Sequence, residues 1–168
     1  MGKKILLLSI TLISIFYSTD AQSVRTIKNE LQQSIEKHET ELIKTSDAIW
    51  EAAETALLEF KSSKILIDHA KRNGFDVEEG VAGIKTAFTA SYGSGRPIIG
   101  ILGEFDANAG ISQKRKPVKE ARIPGGAGHG CGHNLFGTAS LGAAIAIKEQ
   151  IEKGNIKGTV IFYGTPAE

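Results

Sequence analysis

Apolar residues in the first third of the chain recur with a helical period. Across residues 24–72 they are spaced mainly three, four and seven apart, which places them on one stripe of a helix. Ser62 and Ser63 are suitable residues to begin a second helix, and Asn73-Gly74 is suitable to end it. The pattern therefore predicts two helices in this region.

Four side chains of these helices are assigned by position alone. Trp50 and Phe60 lie on the apolar stripe, so core packing is their expected role. His38 and His69 lie away from any cluster of candidate ligands and are expected on the helix surface. None of the four is therefore a candidate for chemistry.

The apolar period changes to two after the helical region, which is typical of strands. An alternating run over residues 85–92 leads into Gly93-Ser94-Gly95, and an apolar run over residues 98–102 follows. A glycine-rich turn between two such runs predicts a β-hairpin. A long polar loop then extends to Gly128, and loops of this length are usually functional or mobile.

A helix and a further strand complete the pattern. Asn134 is suitable to cap a helix over residues 135–151, which is apolar on most sides and is therefore expected between layers. Residues 158–163 form a short β-branched and aromatic run. The succession of strand, helix and strand predicts a crossover unit, and hence the fold class α/β.

The first residues have the order of an export signal. Lys3 and Lys4 precede an apolar stretch over residues 5–16, and Thr19-Asp20-Ala21 then forms a small-residue cleavage site. We expect a signal peptide over residues 1–21, with cleavage before Gln22. The apolar stretch is shorter than the roughly 20 residues that span a bilayer, so no membrane attachment is expected after cleavage. The mature chain is expected in the periplasm or secreted.

Charge and cysteine content narrow the possible partners. A formal net charge of +1 gives no support for binding to nucleic acid or to an anionic membrane surface. Cys131 is the single cysteine, so an exported chain cannot use it for an internal disulfide. A lone thiol in an oxidising compartment needs another role, such as burial, metal binding or pairing between chains.

Cys131 lies within the cluster His129-Gly130-Cys131-Gly132-His133. In an extended stretch, residues two apart face the same side, so Cys131 and His133 could both point at one ion. Thiolate and imidazole are ligands that suit zinc and neighbouring transition metals. A buried cysteine between two surface histidines in a glycine-rich turn would also explain the cluster.

Two carboxylates follow strands and are expected near this cluster. Asp106 comes after the strand at residues 98–102, and Glu168 comes after the strand at residues 158–163. Ligands of open α/β sheets bind beyond the carboxyl ends of the strands, where such loops converge. The topology therefore predicts one site from Asp106, the histidine and cysteine cluster and Glu168, although a carboxylate at a strand end can also be merely solvated.

Together these residues resemble a known family. The run Gly128-His129-Gly130-Cys131-Gly132-His133-Asn134 before an alanine-rich helix, and the run Gly164-Thr165-Pro166-Ala167-Glu168, resemble the co-catalytic metallopeptidase family of aminoacylases and glutamate carboxypeptidases. The resemblance is greatest to its amidohydrolase branch of p-aminobenzoyl-glutamate hydrolase type. Four further segments also fit that pattern, at residues 46–50, 74–77, 80–84 and 103–107.

The resemblance implies roles for the site residues. Cys131 and His133 would be metal ligands, while Asp106 and His129 would lie beside them. Glu168 would be the first of a Glu-Glu pair and the general base. Residues 22–168 would be the N-terminal part of a catalytic domain with αβα layers. Further ligands and a lid or dimerisation domain would lie outside this chain.

The function implied is metal-dependent hydrolysis of an amide bond in N-acyl or N-aroyl amino acids or small peptides. Two zinc or manganese ions and a homodimer are expected for the complete enzyme, and the chain alone is expected to be inactive. An exported, non-catalytic metal-binding or interaction module with the same fold is the alternative. A small structural zinc domain fits less well, because closed structural sites use four protein ligands.

Overall fold

The computed structural model describes residues 24–168 in full, and residues 2–23 only as the backbone of the first helix. The signal peptide expected at residues 1–21, with its cleavage site, lies outside the fully described residues. Within residues 24–168, no helix is both long enough and apolar enough to cross a membrane. The main elements are α1 (Gly2–Ala52), α2 (Phe60–Arg72), β1 (Asp76–Glu79), β2 (Phe88–Ser94), β3 (Ile98–Glu104), α3 (His133–Glu152) and β4 (Gly158–Thr165).

The four strands form one mixed sheet in the order β1-β2-β4-β3. β4 pairs antiparallel with β2 and parallel with β3, and β1 pairs antiparallel with β2. The hairpin predicted between β2 and β3 is therefore wrong, because β4 lies between these two strands. The crossover through α3 returns the chain beside β3, and the apolar side chains Val160 and Phe162 of β4 are fully buried in that central position.

The predicted strand, helix and strand unit is confirmed as β3, α3 and β4. α3 packs between α1 and the sheet, which explains why its sequence is apolar on most sides. The helix begins after Gly132, whose φ of +82° ends the preceding loop. The prediction that Asn134 caps the helix is wrong, because this residue lies inside α3. Its Nδ2 donates to Ser46 Oγ at 3.0 Å.

One hydrophobic core joins the helices to the sheet. It contains Leu66 of α2, Leu141 of α3, Phe88 of β2 and Phe162 of β4, all fully or almost fully buried. The predicted α/β class, with a sheet flanked by helices, is confirmed. Ile98, Leu102 and Tyr163 lie on the opposite face of the sheet and are exposed, although they are large and apolar. In the described chain, β3 also has an unpaired edge.

The start of α2 differs from the prediction. Ser62 and Ser63 are buried inside the helix and do not begin it, since α2 starts at Phe60. The free N–H groups of its first turn are bound instead by the Glu54 carboxylate, which accepts from the amides of Lys61 and Ser62 at 2.9 and 2.8 Å. The predicted end at Asn73-Gly74 is confirmed, with Gly74 at a φ of +78°.

Three of the side chains assigned by the helical pattern lie elsewhere than predicted. Phe60 is exposed and Trp50 is half-buried, so neither is a core residue. His69 is buried, because Thr45 Oγ1 lies 2.7 Å from its Nδ1 and gives the ring a polar partner inside the protein. Burial lowers the pKa of His69, which favours the neutral imidazole.

Candidate functional site

The ends of two parallel neighbouring strands bring the candidate residues together. Glu104 is the last residue of β3 and Asp106 follows it by two, while Glu168 lies shortly after the end of β4. His133 is the first residue of α3, the helix that connects the two strands. The predicted convergence of strand-end loops therefore occurs at this edge of the sheet.

His133 is the centre of the group and is buried. Its Nδ1 lies 3.0 Å from Asp106 Oδ1 and 3.2 Å from the Asp106 carbonyl oxygen. Both atoms are acceptors, so Nδ1 carries the proton and donates it to Asp106. In the neutral ring Nε2 then carries the lone pair, and a carboxylate behind a histidine in this way is the usual support for a metal-binding imidazole.

Two carboxylates face the other side of the His133 ring. Glu104 Oε2 lies 3.2 Å from His133 Nε2, and Glu168 Oε2 lies 3.7 Å from it. Ligand atoms of these three residues all lie within 4.8 Å of one another. An imidazole nitrogen and two carboxylate oxygens at these distances can share one cation, which can be a proton on Nε2 or a metal ion. One nitrogen and two oxygen donors at this spacing fit zinc or manganese.

Glu104 was not assigned a role from the sequence, although it forms part of this group. Its position carried a usable signal: it precedes Asp106 by two residues, and alternate residues of an extended chain face the same side. A search for pairs of acidic residues at strand ends would have found it together with Asp106.

Cys131 is not a member of the three-residue group. Its side chain is exposed, and its thiol is not among the ligand atoms within 4.8 Å of one another. The stretch from Cys131 to His133 is not extended as expected, because Gly132 adopts a left-handed conformation and α3 begins directly after it. The assignment of Cys131 as a metal ligand stays a prediction.

His129 binds the segment before α3 to helix α1. The side chain is buried, and its Nε2 lies 3.1 Å from the carbonyl oxygen of Ile49, in the last turns of that helix. Burial lowers the pKa of His129, so the neutral ring donates from Nε2 and leaves Nδ1 without a partner among the described residues. Because both histidines are buried and Cys131 is exposed, the alternative of a buried cysteine between surface histidines is wrong.

The long polar loop before His129 is also held on α1. Its two ends pair with each other, since the amides and carbonyls of Asn108 and Gly128 exchange hydrogen bonds at 2.9 and 3.0 Å. The guanidinium groups of Arg115 and Arg122 lie 4.5 and 5.1 Å from the centre of the Trp50 ring. Trp50 thus contributes to fixing the loop that leads into the site.

The chain is similar to known hydrolases and peptidases. It is 43% identical over 139 residues to a p-aminobenzoyl-glutamate hydrolase subunit of Escherichia coli K12, a match that covers 82% of the chain and 29% of that protein. A dinuclear metal-binding peptidase of the M20 family from Bacillus subtilis has a TM-score of 0.67 at 25% identity, over 79% of the chain and 36% of that protein. A protein from methicillin-resistant Staphylococcus aureus named as an aminohydrolase has a TM-score of 0.69 at 22% identity, over 83% of the chain and 35% of that protein.

These similarities first define a class: the fold is that of the M20 metallopeptidases and aminohydrolases. Within it, the chain is a relative of the p-aminobenzoyl-glutamate hydrolase-type amidohydrolases, so the resemblance predicted from the sequence is confirmed. No protein-family model matches the chain. The chain spans only 29–36% of the length of these relatives.

Proposed function

We propose that the chain forms part of a metal-dependent amidohydrolase that cleaves N-acyl or N-aroyl amino acids or small peptides. The observation that carries this proposal is the group of Glu104, His133 and Glu168, with Asp106 bound behind the histidine. The relative named as a p-aminobenzoyl-glutamate hydrolase supports an amide of an aromatic acid as the substrate class.

The chemistry follows from the side chains at the sheet edge. A divalent ion bound there would polarise the amide carbonyl and lower the pKa of a water molecule toward roughly 7. His133 would hold this ion through Nε2, while Asp106 keeps the proton on Nδ1 and fixes the ring. Glu168, whose side chain is largely exposed to solvent, would take a proton from the water and pass it to the leaving amine.

The described part of the chain would supply only one portion of a complete site. A catalytic metal site ordinarily has three protein ligands and an open position, and a site for two ions needs more. We propose that further residues of a longer polypeptide complete it, that zinc or manganese occupies it, and that the complete enzyme is a homodimer. The unpaired edge of β3 and the exposed apolar residues of the sheet support a need for additional structure.

Turnover of a panel of N-acyl and N-aroyl amino acids, with added zinc or manganese, tests this proposal. The complete polypeptide should release the amino acid from at least one amide, and residues 22–168 alone should not. A chelator should abolish the activity and the added ion should restore it. A complete polypeptide that is inactive with both metals on every amide would contradict the proposed function, and an active 22–168 segment would contradict the claim that it is incomplete.

Export is a separate proposal, motivated by the basic, apolar and small-residue order of residues 1–21. Expression of the gene in a bacterial host that secretes proteins should yield a mature chain beginning at Gln22. Mass spectrometry of the purified protein measures this directly. A mature protein that retains residues 1–21 would show that the segment is not a cleaved signal.

A further inference from the structure

The linker between α1 and α2 carries a glutamate that is fully buried and has no role in the chemistry described above. Glu59 is 0% exposed, and its carboxylate accepts three hydrogen bonds. Oε1 accepts from the amides of Leu57 and Ala167 at 2.8 and 3.1 Å, and Oε2 accepts from Thr86 Oγ1 at 3.1 Å. A buried carboxylate is costly unless it is well bound, so these donors define one position for it.

Both amides that bind Glu59 Oε1 belong to residues with unusual backbone conformations. Leu57 has a φ of +62° and Ala167 has a φ of +63°. Residues with a Cβ rarely adopt this left-handed region, because the Cβ comes too close to the following carbonyl oxygen. The surrounding structure must maintain such conformations, and they are often found at functional sites. One carboxylate oxygen thus stabilises two strained turns.

The second of these turns leads directly into the site. Ala167 precedes Glu168, and the left-handed turn directs the chain so that Glu168 Oε2 lies 3.7 Å from His133 Nε2. The Glu168 side chain is 61% exposed, so packing around it contributes little to its position. The backbone turn at Ala167 therefore determines where the Glu168 side chain leaves the main chain and in which direction it starts.

The same linker also holds the end of the neighbouring strand. The Glu54 carbonyl oxygen accepts from the amide of Ala107 at 2.7 Å, directly after Asp106, and Thr55 forms a β-bridge with Ala107. Residues 54–59 therefore contact both the loop after β3 and the loop after β4. This arrangement fixes the two loops relative to each other. It thereby also fixes Asp106 in the first loop and the backbone of Glu168 in the second.

We propose that Glu59 is a positioning residue for Glu168. By binding the amide of Ala167, it holds the turn that places the Glu168 carboxylate at the metal-binding group. This inference rests on the proposed function, in which Glu168 is the general base. Glu59 itself contacts neither the substrate nor the ion.

Two substitutions should separate this role from simple burial. Glu59→Ala removes the acceptor for both strained amides, so kcat of the complete polypeptide should fall about 10–100-fold, with KM little changed, because small misplacement of a catalytic group is costly. Glu59→Gln should retain most of the turnover. Its Oε1 can still accept from both amides, and the hydroxyl of Thr86 can turn to accept from the new amide group.

Glu54→Ala is the matched control. It removes another carboxylate of the same linker, one that binds the first turn of α2 but does not contact Ala167. It keeps the backbone carbonyl of residue 54, which accepts from the amide of Ala107. It should lower the melting temperature through loss of the helix cap, while kcat of the folded protein stays close to that of the unsubstituted protein. If Glu54→Ala lowers kcat as much as Glu59→Ala does, Glu59 has no special role and the inference is overturned.

The decisive experiment combines hydrogen exchange with a double-substitution cycle. NMR of the chain should show a protected Ala167 amide that becomes fast-exchanging in Glu59→Ala, while Phe162 in β4 stays protected. In the complete polypeptide, Glu59→Ala should change kcat little once Glu168→Gln is present, because the effects of substitutions at residues that act as a unit are not additive.

An unprotected Ala167 amide in the unsubstituted chain, or an undiminished effect of Glu59→Ala on kcat in the Glu168→Gln background, overturns the inference. A Glu168→Gln variant with full activity would instead contradict the proposed function, and the exchange of Ala167 would still decide whether Glu59 holds the turn.

Discussion

Glu168→Gln in the complete polypeptide should lower kcat for an amide substrate by about 10²–10⁴-fold, the usual contribution of a general base. Glutamine has nearly the same shape and keeps one carbonyl oxygen toward His133, but it cannot accept a proton from water. Bound metal should therefore remain close to the level of the unsubstituted protein. Steady-state kinetics and metal analysis of the same preparation measure the two quantities together.

The matched control for this prediction is Glu78→Gln, which makes the same chemical change on the exposed edge strand β1, at the far side of the sheet. It should leave kcat unchanged. If Glu168→Gln is as active as Glu78→Gln, Glu168 is not the base. If it loses metal and activity in equal proportion, Glu168 acts as a ligand and not as a base.

His133→Ala should abolish metal binding at the sheet edge, and this is the second large effect that we expect. The substitution removes the nitrogen that lies between Glu104 and Glu168. Loss of a partner behind a ligand typically costs about 10–100-fold in metal affinity, so loss of the ligand itself should cost more. Isothermal titration of the complete polypeptide with zinc or manganese measures the affinity.

Three further variants make the titration specific. Asp106→Asn should weaken binding by about 10–100-fold, because the amide no longer fixes the proton on Nδ1 of His133. Cys131→Ala should also weaken binding if the thiol turns inward as a ligand, as the sequence predicts. His38→Ala removes a histidine of α1 that pairs with Glu149, and it should leave the affinity unchanged. Equal affinities of His133→Ala and His38→Ala would remove His133 from the site.

The sequence predicted the elements with a long and regular pattern. The helical stripe, the apolar helix α3 and the strands on either side of it were all visible, because each carries many residues with one period. The order of the strands in the sheet could not be predicted in the same way. Whether two neighbouring apolar runs pair with each other depends on the rest of the sheet, and β4 displaces β3 from β2. The glycine-rich turn between β2 and β3 does not indicate that a third strand, β4, pairs with both of them.

The same distinction applies to the site. Asp106, His133 and Glu168 were predicted together because strand ends of a parallel unit converge, and this rule depends only on topology. The roles of Glu104 and Glu59 could be recognised only from the folded structure. Glu59 lies 108 positions before Ala167 in the sequence, and a glutamate at the start of a helix is ordinarily exposed. Two of the three neutral donors that bind it, Thr86 and Ala167, come from distant segments, and no local pattern reveals them.

The most direct test of the central claim is the position of a bound metal ion. We expect anomalous X-ray diffraction from crystals of the protein with zinc to show an ion about 2.0–2.1 Å from His133 Nε2. An oxygen atom of Glu104 should complete its contacts on the open side, with Asp106 still bound to Nδ1 and the Glu168 carboxylate free to accept a proton from a water molecule on the ion. An ion held elsewhere, with His133 Nε2 bonded only to carboxylates, would contradict the account.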